Sequence, residues 1–283
     1  MFIKDAFLKK ETTLSFEIFP PKNLDNIFNT IQELKKFNPD FISITYGAGG
    51  SSKDRTVEIA STIKNNYGIE ALAHLTCAAS TKEEIEEIIN KLKQSKIENI
   101  LALRGDIPEG FIQGKEYPYR YAKDLIWKLK EDANLCIAAA AYPEGHNECK
   151  NLDNGVRYLK EKVDEGADLL ITQLFFDNNN FFEFKEKLYQ YNIKVPVVTG
   201  IMPAVNKALI EKIQKLSGFV LPDKVKSFMS KYEYNEDDLK KAGIEYASYQ
   251  MEELLKNKVE GIHLYTMNKH DIVKNILDNV SFK

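Results

Sequence analysis

Cysteine is scarce in this chain: Cys77, Cys136 and Cys149 lie far apart, and no CxxC pair occurs. That disfavours a disulfide scaffold and a zinc knuckle, and makes reduced thiols in the cytoplasm the default expectation. No apolar run approaches the roughly 20 residues of a bilayer span. Lys4, Asp5, Lys9, Lys10 and Glu11 interrupt any signal-peptide core after Met1, so no membrane association is expected. Charge of one sign is lacking too: 39 Lys+Arg against 42 Asp+Glu leave a net charge of -3. That balance argues against a nucleic-acid surface. The GxGxxG turn that would favour a dinucleotide-binding doubly wound sheet is absent, and so is a GxxxxGK[ST] phosphate loop. Without HxH or HExxH, no metal is expected. Neither a low-complexity linker nor a repeat beyond the strand–helix unit divides residues 1–283, which read as one domain.

What is present is a recurring unit: an apolar run, a polar outburst, then a helical stripe. The predicted strands are Leu14–Phe19, Phe41–Thr45, Ala71–Leu75, Ile100–Leu103, Cys136–Ala141, Leu169–Gln173, Val195–Thr199 and Gly261–Tyr265. Helical periodicity follows each of them, as with Ile85, Ile88, Ile89 and Leu92, or Leu209, Ile210, Ile213 and Leu216. Thr81 with Glu84 matches a capping box. The glycine-rich turn at positions 47–50 reads as a tight bend that could also let a ligand close to the backbone. Two further helical segments stand between the last two strands, and the charged stretch Ser230–Lys241 reads as the most loop-like region. Units spaced at about 25 to 35 residues match an α/β fold of the (β/α)8 TIM-barrel type.

In such a barrel the C-terminal ends of the strands share one bowl. That rule brings together Glu17, Thr45, His74, Arg104, Asp106, Tyr142, Gln173 and the Tyr265–Asn268 turn. Each has a plain alternative: an interior charge paired with lysine for Glu17, a satisfied core imidazole for His74, a hydrogen-bonded buried amide for Gln173. Arg104 and Asp106 could do no more than neutralise one loop. The group says more than its members, because two carboxylates, an amide and an imidazole share one rim. From the residues alone, flavin, folate, sugar and nucleotide stay open as ligands.

The same residues carry a resemblance. Ser15-Phe16-Glu17-Ile18-Phe19-Pro20-Pro21, Thr45-Tyr46-Gly47-Ala48, His74-Leu75-Thr76-Cys77 and Leu101-Ala102-Leu103-Arg104-Gly105-Asp106 occur in order. They are followed by Ala141-Tyr142-Pro143-Glu144 with His146, Ile171-Thr172-Gln173-Leu174-Phe175-Phe176-Asp177, Gly200-Ile201-Met202-Pro203 and Tyr265-Thr266-Met267-Asn268. Together these resemble the 5,10-methylenetetrahydrofolate reductase family over nearly the whole chain. The likeness covers the catalytic barrel only, as in the short bacterial form without the eukaryotic C-terminal regulatory domain.

The resemblance implies FAD as cofactor, 5,10-methylenetetrahydrofolate as substrate and NADH or NADPH as donor in a ping-pong mechanism. It gives Glu17 the acid role in opening the methylene bridge. It places Asp106 at the amino-bearing edge of the pterin and near the flavin, and makes Gln173 a hydrogen-bonding partner of the pterin. Flavin contacts are implied for Thr45, His74, Leu103, Arg104 and Gly105. They are implied as well for Asp106, Tyr121, Ala122, Tyr142, His146 and Lys162. Ile213, Met267 and Lys269 would touch the substrate.

Departures from the family pattern cluster at the dinucleotide tail, where Gly155, Tyr158 and Glu161 replace an aspartate, an asparagine and an arginine. Ile213 stands in place of a phenylalanine, and Lys269 replaces an arginine, keeping the cation without the planar fork. A homo-oligomer is implied, and some short members work inside larger redox assemblies. Two other readings remain: a barrel aldolase or lyase, weakened because no strand end offers a Schiff-base lysine, and a non-enzymatic supporting subunit of a redox complex.

Overall fold

In the computed structural model the described residues are all but 22–24, 47–49, 132–133, 150 and 283, and the side chains at 25 and 50–53 are likewise left aside. The apolar runs become β1 (Thr13–Ile18), β2 (Phe41–Ile44), β3 (Glu70–Thr76) and β4 (Asn99–Leu103). They continue as β5 (Cys136–Ala141), β6 (Leu169–Thr172), β7 (Val197–Ile201) and β8 (Gly261–Tyr265). Each pairs in parallel with the next and β8 pairs with β1, so the sheet closes on itself as the (β/α)8 pattern predicts. β7 starts later than expected. Pro196 lacks the N–H a ladder needs, and its carbonyl instead accepts from Leu170 N at 2.8 Å.

The helices are α1 (Asp25–Lys35), α2 (Gly50–Asn65), α3 (Lys82–Gln94), α4 (Ala122–Lys130) and α5 (Leu152–Asp164). After them come α6 (Asn178–Gln190), α7 (Lys207–Ser217), α8 (Asp223–Lys231), α9 (Glu236–Lys256) and α10 (His270–Asp278). The capping box of α3 forms as read, Thr81 and Glu84 each accepting the other's backbone N–H. The Ser230–Lys241 stretch is not a loop. Its first two residues finish α8 and its last six begin α9, leaving only 232–235 between them. Glu236, Asp237 and Asp238 crowd the first turn of α9, where carboxylates favour the helix dipole, and Asn235 caps it. Leu216 departs from its stripe and is 69% exposed. The glycine-rich turn after β2 lies, for 47–49, outside the described residues.

Side chains alternate in and out along every strand, and two apolar clusters result. The larger joins the outward faces of the strands to the helices, with Phe16, Ile18, Ile42, Ile44 and Ile100 fully buried. The smaller fills the barrel itself, with Phe41, Leu72, Leu101, Ala138, Leu169 and Val198. Ile3, from a short 3-10 segment (Ile3–Leu8) that the periodicity did not reveal, belongs to this inner cluster. It is anchored by the buried Asn99, whose Oδ1 accepts from Ile3 N at 2.8 Å. With its lower end packed, the barrel offers its polar positions at the C-terminal rim.

Candidate active site

Polar side chains stand at inward positions of β8, β1, β2 and β3. Ser15 and Glu17 on β1, Ser43 on β2, His74 on β3 and His263 on β8 all follow period two. His263 is fully buried, with Nδ1 2.7 Å from Ser15 Oγ and Nε2 3.2 Å from Ser43 Oγ. Above it stands Glu17, whose Oε2 lies 3.8 Å from His263 Nε2 and 3.5 Å from His74 Nε2. Burial pushes His74 down to about 4, Glu17 opposing and His263 adding to the shift. Its imidazole is therefore neutral at neutral pH, and its Nε2 has no hydrogen-bond partner among the described residues. The turn after β8 holds the Glu17 backbone: Thr266 N and Oγ1 both donate to Glu17 O, at 3.2 and 2.7 Å. Asn268 closes the same junction by bonding both backbone groups of Phe19.

Across the bowl, β4 ends in Arg104-Gly105-Asp106. Gly105 has φ +80°, and a Cβ there would lie 2.8 Å from that of Thr76, so both conformation and space require glycine. Arg104 does not neutralise Asp106. Its guanidinium grips Glu148 through two nearly parallel bonds of 2.7 and 3.0 Å, which holds the Glu148 carboxyl below its ordinary range. Asp106 is left exposed at the rim, without an ion-pair partner among the described residues. Gln173, just past β6, folds its Oε1 back to accept from Leu174 N at 2.9 Å. Its amide N–H groups stay available to a ligand.

The floor between these groups is set by Tyr265, whose hydroxyl donates to Thr172 O at 2.8 Å. That ring passes so close to Gly200 that a Cβ on the glycine would sit 2.7 Å from it and closer still to the Thr172 carbonyl. We predict that Gly200→Ala destabilises the protein by about 1–3 kcal/mol, the usual cost of overpacking. A urea titration with an unmoved midpoint would contradict this packing.

Glu17, Asp106 and Gln173 line one cleft of about 320 Å³, together with Thr45, His74, Leu103, Arg104, Gly105, Tyr142 and His146. A second hollow of about 440 Å³ shares the walls at Leu103, Arg104, Tyr142 and His146. It runs between α4 and α5 and adds Tyr121, Ala122, Gly155, Tyr158, Glu161 and Lys162. Lys162 reaches its floor from α5, with Nζ donating to Ala140 O at 2.9 Å and lying 5.9 Å from the Tyr142 ring centroid. Burial, then Arg104, pushes this lysine down to about 8. Tyr142 meets His146 edge-on at 4.8 Å between centroids.

Three nominated residues stand apart from both hollows. Ile213 and Met267 pack against a separate cluster around Leu174, Met202 and Ile210, which reaches the bowl through Tyr265. Lys269 borders a third hollow lined by residues of α7, α9 and α10. Sequence reasoning missed Glu148 and the Ser15–His263–Ser43 group. The second was within reach, because polar residues at alternate positions of three neighbouring strands already mark a polar interior.

A closed parallel barrel whose rim gathers an acid, a free carboxylate, an amide and a neutral imidazole defines a TIM-barrel enzyme. The sequence profile of the methylenetetrahydrofolate reductase family matches residues 3–281. The 5,10-methylenetetrahydrofolate reductase of Pectobacterium carotovorum subsp. carotovorum is 34% identical over 94% of this chain and 89% of its own length. A probable methylenetetrahydrofolate reductase (NADH) of Oryza sativa subsp. japonica is 35% identical over 98% of this chain, which spans 50% of that relative. In fold, the chain is similar to a Clostridium thermocellum protein described as binding two copies of 5-methyl-5,6,7,8-tetrahydrofolic acid. The TM-score is 0.66 at 16% identity, covering 98% of this chain and 97% of that one. The chain belongs to the methylenetetrahydrofolate reductase family, and is an oxidoreductase of one-carbon metabolism. Among the described residues, no helix is long and apolar enough to cross a membrane.

Proposed function

We propose that residues 1–283 form one flavin-dependent catalytic domain that reduces 5,10-methylenetetrahydrofolate to 5-methyltetrahydrofolate, with FAD as cofactor and NADH or NADPH as donor. The observation that carries this reading is the continuity of the bowl holding Glu17, Asp106 and Gln173 with the α4–α5 groove. The residues present fit FAD. The side-chain-free approach at Gly105, the unpartnered Nε2 of His74 and the half-buried cation of Lys162 suit a flat ring joined to a diphosphate. When bound, FAD supplies the two-electron carrier between nicotinamide and folate.

The protein's own part is orientation and proton supply. Glu17, fixed through its backbone by Thr266, stands where it can protonate the bridge nitrogen that leaves as its bond to the methylene carbon breaks, the other nitrogen then forming the electrophilic iminium. Gln173 offers amide hydrogens to the pterin, and the free Asp106 carboxylate accepts from the pterin's amino-bearing edge. Nicotinamide and folate would use this one bowl, lined by Glu17, Asp106 and Gln173, in turn, and ping-pong kinetics are expected on that reading. Ile213 would pack on nicotinamide and folate, Met267 would also touch the substrate, and Lys269 would serve the folate tail. A cytoplasmic homo-oligomer is the expected state of the enzyme.

Anaerobic mixing of FAD-loaded protein with NADH and NADPH tests the donor. Bleaching of the flavin band within a turnover time supports direct use. Slow bleaching, with rapid folate reduction by chemically prereduced enzyme, would overturn it and point to a partner subunit. A purified protein that never binds flavin would return the reading to an aldolase or a supporting subunit.

Lys162 adds a pH dependence. Free protein holds this lysine charged below about 8 and neutral above. A diphosphate beside it favours the ammonium, so binding above that pH takes up a proton. FAD affinity is expected to fall above pH 8, by at most about tenfold per pH unit. Lys162→Met should bind more weakly with no such fall, and a pH-independent wild-type affinity would remove the contact.

A further inference from the structure

Tyr158 has no ring contact and no hydrogen bond among the described residues, and its relative exposure is 57%. It is nevertheless part of the groove wall, with Gly155, Leu159 and Lys162 of the same helix. Steps of three and four residues put these four on one face of α5. A helical side chain leans back over the preceding turn, and one turn before Tyr158 stands Gly155. Gly155 has an ordinary negative φ, and nothing lies within 4 Å of where its Cβ would be. Neither backbone conformation nor crowding within the chain calls for glycine here, although glycine weakens a helix interior. What its missing side chain provides is bare helix surface beside an unpartnered aromatic ring.

The charges around this shelf are arranged along the helix axis. Lys123 of α4 and Glu161 of α5 close on each other at 2.7 Å and neutralise one side. Arg104 is committed to Glu148. Among the described residues of the groove, the cation without an acidic partner is Lys162, four residues beyond Tyr158, or about 6 Å along the axis. A flat neutral ring at Tyr158, linked over that distance to an anion at Lys162, has the form of an adenosine joined to a diphosphate.

We propose that Tyr158, over the bare turn at Gly155, is the stacking platform for the adenine of FAD. This rests on the flavin reading above, and it assigns the end of the cofactor where Gly155, Tyr158 and Glu161 break the family pattern. The ring replaces a polar clasp with stacking, which needs a π face and an uncovered approach and no charged partner.

The experiment compares FAD with FMN, which lacks the adenosine half, by titrating each into apoprotein and following flavin fluorescence. Wild-type protein should prefer FAD. Tyr158→Ala should weaken FAD roughly tenfold, within the range of base–aromatic stacking, and leave FMN unchanged, while Tyr158→Phe keeps both affinities. Gly155→Leu, which improves helix propensity while covering the shelf, should likewise weaken FAD alone. If the wild type prefers FAD and neither Tyr158→Ala nor Gly155→Leu alters that preference, the platform is overturned and the flavin reading stands. Equal wild-type affinity for FMN and FAD also overturns the platform. Absence of binding by either flavin overturns the flavin reading and the platform with it.

Discussion

Glu17→Gln is expected to keep FAD and its reduction by nicotinamide while folate reduction falls about 10²–10⁴-fold, the usual worth of a positioned proton donor. The substitution preserves shape, and the backbone of residue 17 stays held by Thr266 and by the ladder to β8. What changes is the proton. An amide in that position cannot protonate the departing nitrogen of the methylene bridge. Its neighbours cannot take over: His74 is neutral near pH 7, because burial pushes it down to about 4, and His263 is enclosed beneath with both nitrogens beside serines. Stopped-flow measurement separates the two half-reactions. Fast folate turnover by Glu17→Gln would remove the acid role, and loss of both half-reactions together would show damage to the bowl instead.

Asp106→Asn is expected to weaken folate binding about 10- to 100-fold, the range of a charge-assisted hydrogen bond, and to raise the reduction potential of bound FAD. The potential rises because the reduced, anionic flavin no longer faces a nearby negative charge. A loop-neutralising role would have predicted lost stability with turnover intact. The geometry already speaks against that role, since Arg104 is engaged by Glu148, and Asp106 stands exposed without an ion-pair partner among the described residues. A folate titration and a potential measurement on one preparation decide the matter. Normal folate affinity with an unchanged potential would eliminate Asp106 from the site.

The two residues differ in how well they could be read in advance. Glu17 precedes two prolines that must end a strand, so its place at a rim followed from local chemistry. Asp106 was equally visible as a polar exit, yet its freedom was not, because the partner that removes Arg104 from it lies 44 residues away. Ile213 and Lys269 carry the same lesson in reverse. Helical spacing put Ile213 on a buried stripe, but which cavity that stripe faces depends on how α7 docks, and it faces a separate cluster.

Local pattern along the chain is enough to specify the barrel. Strand ends, helix stripes and the capping box at Thr81 are local, set by side-chain period and by hydrogen bonds spanning three or four residues. Eight such units in order leave few other closures for a parallel sheet. Local pattern also places Glu17 and His74 inward near the rim, because period two assigns each strand residue to the inside or the outside. The pairings of the polar groups came with the closed fold: Arg104 with Glu148, His263 between Ser15 and Ser43, Lys162 against the Ala140 carbonyl. Those contacts join residues 22 to 248 positions apart in the chain. The charge states of His74 and Lys162 follow from burial, which no local pattern encodes. An imidazole on a strand is read from the chain; that it is neutral, unpartnered and beside the acid is a property of the closed barrel.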